Sequence, residues 1–287
     1  MTESISGAGN GTRPVPQLLV SVRSADEANA AVSGRCDILD VKDPTHGSLG
    51  MADVSVIEQV LQTGLSAGLP VSAALGEVSD YPSSLLLSES NRLPDTLSRL
   101  SFTKIGLSGL SGDSHWKARW QDTMSWLTSP FDSQPEEGSC GWVAVIYADW
   151  QKAVAPSPDE IVDVVLSAGS STGERIKGVL VDTWSKKSGR LLDSLSVEQL
   201  RDIASSVQQS GRFFAVAGRL TFEMLPELVS VQPDVVAVRS AVCRKEDRTS
   251  QVDEGAVRRL RSEIDRTFTD DPTCSALPMI GASRDQF

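Results

Sequence analysis

A chain of 287 residues with 40% hydrophobic and 23% charged residues has room for one large core or two smaller ones, and its composition is neither disordered nor fibrous. The formal net charge of -11 gives a surface that repels polyanions, which excludes nucleic acid and anionic membranes as expected partners. Any phosphate this protein takes must be held by a local cluster of cations and backbone N–H groups set against that field.

In chain order, Met1 to Pro16 is polar and rich in Gly, Ser and Thr, and is expected to form a loose tail. It has no basic segment followed by an apolar core, so no secretory signal is read there and a cytoplasmic location is expected. From Gln17 onward, short β-branched runs alternate with stretches of helical period. The runs are Gln17–Val22, Asp37–Val41, Pro70–Leu75, Phe102–Leu107, Gly141–Ile146, Gly178–Val181, Phe213–Ala217 and Val235–Val238. Three of the intervening helices begin with a capping-box pattern: Ser24 with Glu27, Ser157 with Glu160, and Ser196 with Gln199. In the helix after Ser196, Val197, Leu200, Ile203, Ala204 and Val207 fall on one stripe. A segment from Thr128 to Gly138 reads as a surface insertion, and Thr269 to Phe287 as a second tail.

Eight βα units without a composition break favour a single (β/α)8 barrel over 17–268, with an open doubly wound sheet as the alternative. The first βα turn, Val22-Arg23-Ser24, lacks G-x-G-x-x-G, which argues against a dinucleotide site. Cys36, Cys140, Cys243 and Cys274 form no C-x-x-C pair and read as reduced thiols. His46 and His115 stand alone, so neither a metal nor a cofactor is expected. Trp116, Trp120 and Trp126 share one helical segment, where core packing or a homo-oligomer contact would use them.

The active site of a barrel lies where the strands end, so the polar residues at those ends carry the functional argument. Strand two ends Asp40-Val41-Lys42, which sends Asp40 and Lys42 to one face. Lys104 is embedded in the apolar fourth strand, strand five ends at Tyr147-Ala148-Asp149, and strand six ends at Asp182, followed by Lys186 and Lys187. A lysine beside other cations in a dry pocket becomes a nucleophilic amine able to form a Schiff base, with carboxylates moving protons. The competing reading makes Asp40–Lys42 and Asp182–Lys186 salt bridges that plug the barrel mouth. At strands seven and eight, Gly218 would let backbone approach a phosphate and Arg239 would offer a bidentate donor beside Ser240. A plain turn and an exposed arginine explain the same residues. Arg244, Lys245 and Arg248 add charge nearby, and His46 reads as an exposed loop histidine or an acid–base group.

The segments LLVSVRSADEA, DILDVKDPTHGSLG, PVSAALGEV, FTKIGLSG, VAVIYADWQK, GVLVDTWSKKSG, FFAVAGRL and VVAVRSAVCRKEDR, in this order, resemble the (5-formylfuran-3-yl)methyl phosphate synthases from about Gln17 to Ile264. The resemblance implies a barrel lyase that condenses two molecules of glyceraldehyde 3-phosphate, with loss of phosphate and water, into the furan precursor of methanofuran-type one-carbon carriers. By motif position it implies Lys42 as the Schiff-base lysine beside Asp40, and Lys104 as a second amine. Asp182 and Lys186 would serve proton transfer and phosphate binding, with Gly218, Arg239 and Ser240 in the phosphate region. The chain departs from the family pattern at Arg219, Ser240 and Lys187, and Glu77 stands where an Asp is common. Two further readings remain open: a Schiff-base aldolase on another phosphorylated sugar, and a non-catalytic barrel that binds a phosphorylated ligand.

Overall fold

Eight apolar runs form eight parallel strands: β1 (Gln17–Val22), β2 (Ile38–Val41), β3 (Val71–Glu77), β4 (Phe102–Gly106), β5 (Gly141–Tyr147), β6 (Ile176–Asp182), β7 (Phe213–Val216) and β8 (Val235–Val238). They pair in chain order and β8 closes onto β1, so the sheet is a barrel and the open-sheet alternative falls. This computed structural model describes residues 15–82, 93–129, 140–168, 170–185 and 189–269. Most of both expected tails, most of the expected 128–138 insertion, Cys274, Lys186 and Lys187 lie outside the described residues.

The helices are α1 (Ala25–Ser33), α2 (Val54–Ala67), α3 (Trp116–Thr128), α4 (Trp150–Ala153), α5 (Pro158–Ser167), α6 (Ser170–Arg175), α7 (Val197–Gln209), α8 (Leu225–Val229) and α9 (Glu254–Thr269). Alternation along each strand divides the core in two. Outward residues such as Leu18, Val20, Leu39, Val41 and Val71 join the helices' apolar stripes in one continuous cluster. Inward residues Ile38, Phe102, Val143, Leu180, Ala215 and Val235 fill the barrel's interior. On α7, Leu200, Ile203, Ala204 and Val207 are buried as the stripe requires. Burying each larger aliphatic there contributes roughly 1.5–3 kcal/mol.

The reciprocal capping boxes at Ser157/Glu160 and Ser196/Gln199 are present, with Pro158 in the first helical turn. At α1 only half the box forms. Ser24 accepts from Glu27 N–H, but the Glu27 carboxylate turns instead to Arg23 and Arg239. The three tryptophans of α3 are buried, with Trp120 edge-on to Trp142 at 6.5 Å and Trp126 edge-on to Tyr81 at 6.4 Å. Their use is internal packing. Cys36, Cys140 and Cys243 are free buried thiols. No helix among the described residues is long and apolar enough to cross a membrane.

Candidate active site

A pocket of about 410 Å³ opens at the C-terminal ends of the strands, walled by Asp40, Lys42, Lys104, Asp182, Gly218 and Arg248 among others. Its floor is a polar layer laid down by strand register. Ser21 on β1 is aligned with Asp40 on β2, and Asp40 with Ser72 on β3. Lys104 sits one inward position beyond Phe102, the register partner of Ser72, so its long side chain reaches back across β3 to β2. There its amine makes an ion pair with Asp40 and donates to Ser72 Oγ at 2.8 Å. Ser21 and Ser72 donate to the two Asp40 carboxylate oxygens at 2.9 and 3.0 Å. All four side chains are buried. Burial opposes the charge on Asp40, but Lys104, Lys42 and these hydrogen bonds outweigh it and hold its pKa below the ordinary carboxylate value.

This arrangement corrects the salt-bridge reading of Asp40–Lys42. Asp40 is claimed by Lys104 and two serines, and Lys42 has no comparable contact among the described residues. Lys42 follows the end of β2, where its N–H donates to Val22 carbonyl oxygen at 3.1 Å. Burial depresses the pKa of its amine. Asp182 and Asp40 pull the other way, Lys104 and Arg248 add to the depression, and the net shift is downward. Desolvation with cationic neighbours is the condition that turns a lysine into a nucleophile near neutral pH.

Asp182, at the end of β6, is buried and faces the same pocket. It accepts from Ser48 Oγ at 3.0 Å and from Thr183 N–H at 2.7 Å, so the loop after Lys42 is tied to β6. Asp149, at the end of β5, accepts from the N–H groups of Trp184 and Ser185 at 2.7 and 2.9 Å. It thereby fixes the segment leading to Lys186, which itself lies outside the described residues. Next to this wall Tyr147 donates to Glu77 at 2.5 Å, and Glu77 also accepts from Ser108 N–H. The pair fits because residue 106 is glycine: a Cβ there would lie 2.1 Å from Glu77 Oε2 and 2.2 Å from the Tyr147 hydroxyl. Burial raises the Glu77 pKa despite those hydrogen bonds.

Gly218 follows β7 with φ +100°, a conformation that suits glycine, and a Cβ there would crowd Thr183 at 3.0 Å. It lines the pocket with Arg239 and Ser240. The Arg239 fork that the sequence reading offered to phosphate is occupied. Its five N–H donors are directed to Glu27 (2.9 and 3.3 Å), Ser21 carbonyl oxygen (2.8 Å), Arg248 carbonyl oxygen (2.6 Å) and Ser250 carbonyl oxygen (3.3 Å). Arg239 is a buried brace that fixes the β8 loop to β1 and α1. Glu27→Ala would strand this guanidinium and is expected to cost on the order of 3–5 kcal/mol in denaturant unfolding, whereas Glu27→Gln, which keeps an acceptor, should cost less.

His46 is largely exposed and pairs with Asp43 at 2.6 Å within its own loop, as expected of an exposed loop histidine. No group of three His, Cys, Asp or Glu among the described residues is placed to hold a metal ion. The serines of the floor and Glu27 were not read from sequence as site parts, and Tyr147 and Glu77 were noted separately but not as a pair. The serines' advance signal was an inward position on a strand, and that of Glu27 was its place three residues after Ser24 in a capping-box pattern.

Known proteins match this chain over nearly the whole barrel. Residues 18–261 match the family model described as 4-HFC-P synthase. The (5-formylfuran-3-yl)methyl phosphate synthase of Methanococcus maripaludis is 33% identical over 231 residues, which cover 80% of this chain and 91% of that protein. The enzyme of the same name from Methanothermobacter thermautotrophicus is 30% identical over 249 residues, covering 86% and 98%. Among solved structures, 3-hexulose-6-phosphate synthase from Salmonella typhimurium aligns with a TM-score of 0.54 at 14% identity, covering 88% of this chain and 99% of that one. That last likeness is one of fold.

Proposed function

Because the chain belongs to the 4-HFC-P synthase family, we propose that it is a lyase that joins two molecules of glyceraldehyde 3-phosphate into (5-formylfuran-3-yl)methyl phosphate, for a methanofuran-type carrier. One phosphate and two waters leave, which balances two three-carbon phosphoaldehydes against one six-carbon furan phosphate. The observation that carries the reading is the difference between the two pocket lysines. Lys104 is pinned to Asp40 and Ser72, while Lys42 has a depressed pKa and no such partner among the described residues.

In this reading the neutral Lys42 amine attacks the aldehyde carbon of the first substrate, and loss of water from the carbinolamine gives an imine. Removal of the proton on the adjacent carbon gives an enamine, whose carbon forms the bond to the second substrate molecule. Elimination, ring closure and release of the lysine then lead to the aromatic ring. Asp182 faces Lys42 and is the carboxylate best placed to move protons there, because Asp40 is held by Lys104 and two serines. Lys104 supplies positive charge on the floor as a second pocket amine, and Lys186 is proposed from its motif alone. Gly218 and Ser240 would offer backbone and hydroxyl at the β7–β8 edge to a phosphate.

Incubation with glyceraldehyde 3-phosphate as the sole substrate tests the proposal. The expected result is release of inorganic phosphate in step with a new furan absorbance. A reversible six-carbon product without phosphate release would make the protein a Schiff-base aldolase. Saturable binding without turnover would make it a binding barrel.

A further inference from the structure

The two buried or half-buried arginines at the β8 edge are unequal. Arg239 directs all five donors to protein acceptors. Arg248 uses only Nη2, which donates to the carbonyl oxygens of Pro44 at 3.2 Å and Gly47 at 3.0 Å. Its Nε is buried without an acceptor among the described residues, and Nη1 has none there either without being a buried orphan. Arg248 lines the same pocket as Lys42 and is half-buried, so its charge is poorly screened by solvent. Its backbone is fixed from behind, since Arg239 Nε donates to its carbonyl oxygen. A guanidinium held in place, with Nη2 on the loop that follows Lys42 and Nη1 without an acceptor among the described residues, can receive an anion on Nη1.

We propose that Arg248 binds the ester phosphate of the aldehyde that joins Lys42, and that Arg239 only supports it. The proposal rests on the imine reading above for the identity of the ligand. It also gives the Pro44–Gly47 carbonyls a role. They orient the guanidinium, so that a phosphate on Nη1 draws the β8 loop and the Lys42 loop together over the pocket. The net charge of -11 makes such a dedicated donor necessary, because the bulk surface repels a phosphate dianion.

The test compares glyceraldehyde 3-phosphate with unphosphorylated glyceraldehyde in borohydride trapping at Lys42, in the full chain and in Arg248→Met and Arg248→Lys. In Arg248→Met the half-saturating concentration of the phosphorylated aldehyde is expected to rise between about tenfold and 100-fold, the loss expected for charge-assisted hydrogen bonds. Trapping by glyceraldehyde should stay unchanged. Arg248→Lys, which keeps the charge and loses the fork, should fall between. An unchanged preference for the phosphorylated aldehyde in Arg248→Met overturns the proposal. An equal loss for both aldehydes overturns it too, because it leaves Arg248 a loop brace only. Calorimetric titration with inorganic phosphate supplies an arm independent of the imine. Weaker binding to a folded Arg248→Met or Arg248→Lys chain supports the site even if Lys42 is never trapped, and unchanged binding overturns it.

Discussion

Replacing Lys42 by arginine is expected to lower turnover by roughly 10⁴-fold or more while leaving the unfolding transition near that of the parent chain. Arginine keeps the positive charge that Asp182 and Asp40 face, so the electrostatic balance of the pocket survives. It cannot form the imine, because a guanidinium stays protonated at any working pH. Borohydride reduction in the presence of glyceraldehyde 3-phosphate should mark Lys42 in the parent chain and nothing at that position in the variant. Finding the parent chain unmarked at Lys42 during turnover would remove the imine from the mechanism.

The pH dependence follows from the same residues. Only the neutral amine attacks, and burial has lowered its pKa, so the rate of trapping should climb with pH along a limb lying below the ordinary lysine range. Asp182 opposes the depression. Removing its charge by Asp182→Asn should therefore move the limb to still lower pH, even though proton transfer in the full reaction is damaged. A trapping limb that moved upward in Asp182→Asn would mean that Asp182 does not act on the Lys42 charge.

How much of this was legible beforehand depends on the range of each interaction. The strand ends could be read because a parallel strand is apolar on both faces, so a charge at its end, such as Asp40, Lys42 or Asp182, interrupts an otherwise continuous pattern. Lys104 stood out for the same reason. Its partner did not. The pairing with Asp40 spans 64 positions and is created by strand register across β3, which no local pattern encodes. The competing salt bridge at Asp40–Lys42 was the natural guess at short range, and register overrode it.

Ser21 and Ser72 were invisible because a serine carries no signal of burial, and only closure of the barrel turns them inward. Glu27 was misread in part. A Glu three residues after a Ser fits a capping box, but an arginine 212 positions away offers its carboxylate a charged partner, which wins over one backbone N–H. β3 also runs two residues past its expected end, through Gly76 at φ +84° and a register irregularity, and this carries Glu77 to Tyr147.

Lys104→Met is expected to be the most destabilising single change in the site, at about 3–5 kcal/mol, because it leaves the buried Asp40 without its cation. Adding Asp40→Asn should recover most of that loss. The pair is then neutral, the asparagine amide can still hydrogen-bond to Ser21 and Ser72, and neither buried charge remains to be compensated. A double-mutant cycle by urea unfolding should show strong positive coupling, and additive losses would mean that the two residues do not pair in solution.

Acid provides a second check on sign. The folded Asp40 has a pKa below its unfolded value, so its contribution is complete above the unfolded value and is lost as pH falls through the folded one. The stability gap between the parent chain and the double variant should therefore narrow on acidification, never widen. Turnover should not return with stability. If the floor only held the barrel together, the restored fold would restore the rate. If Lys104 acts on the substrate with Lys42, the double variant should be well folded and still slow.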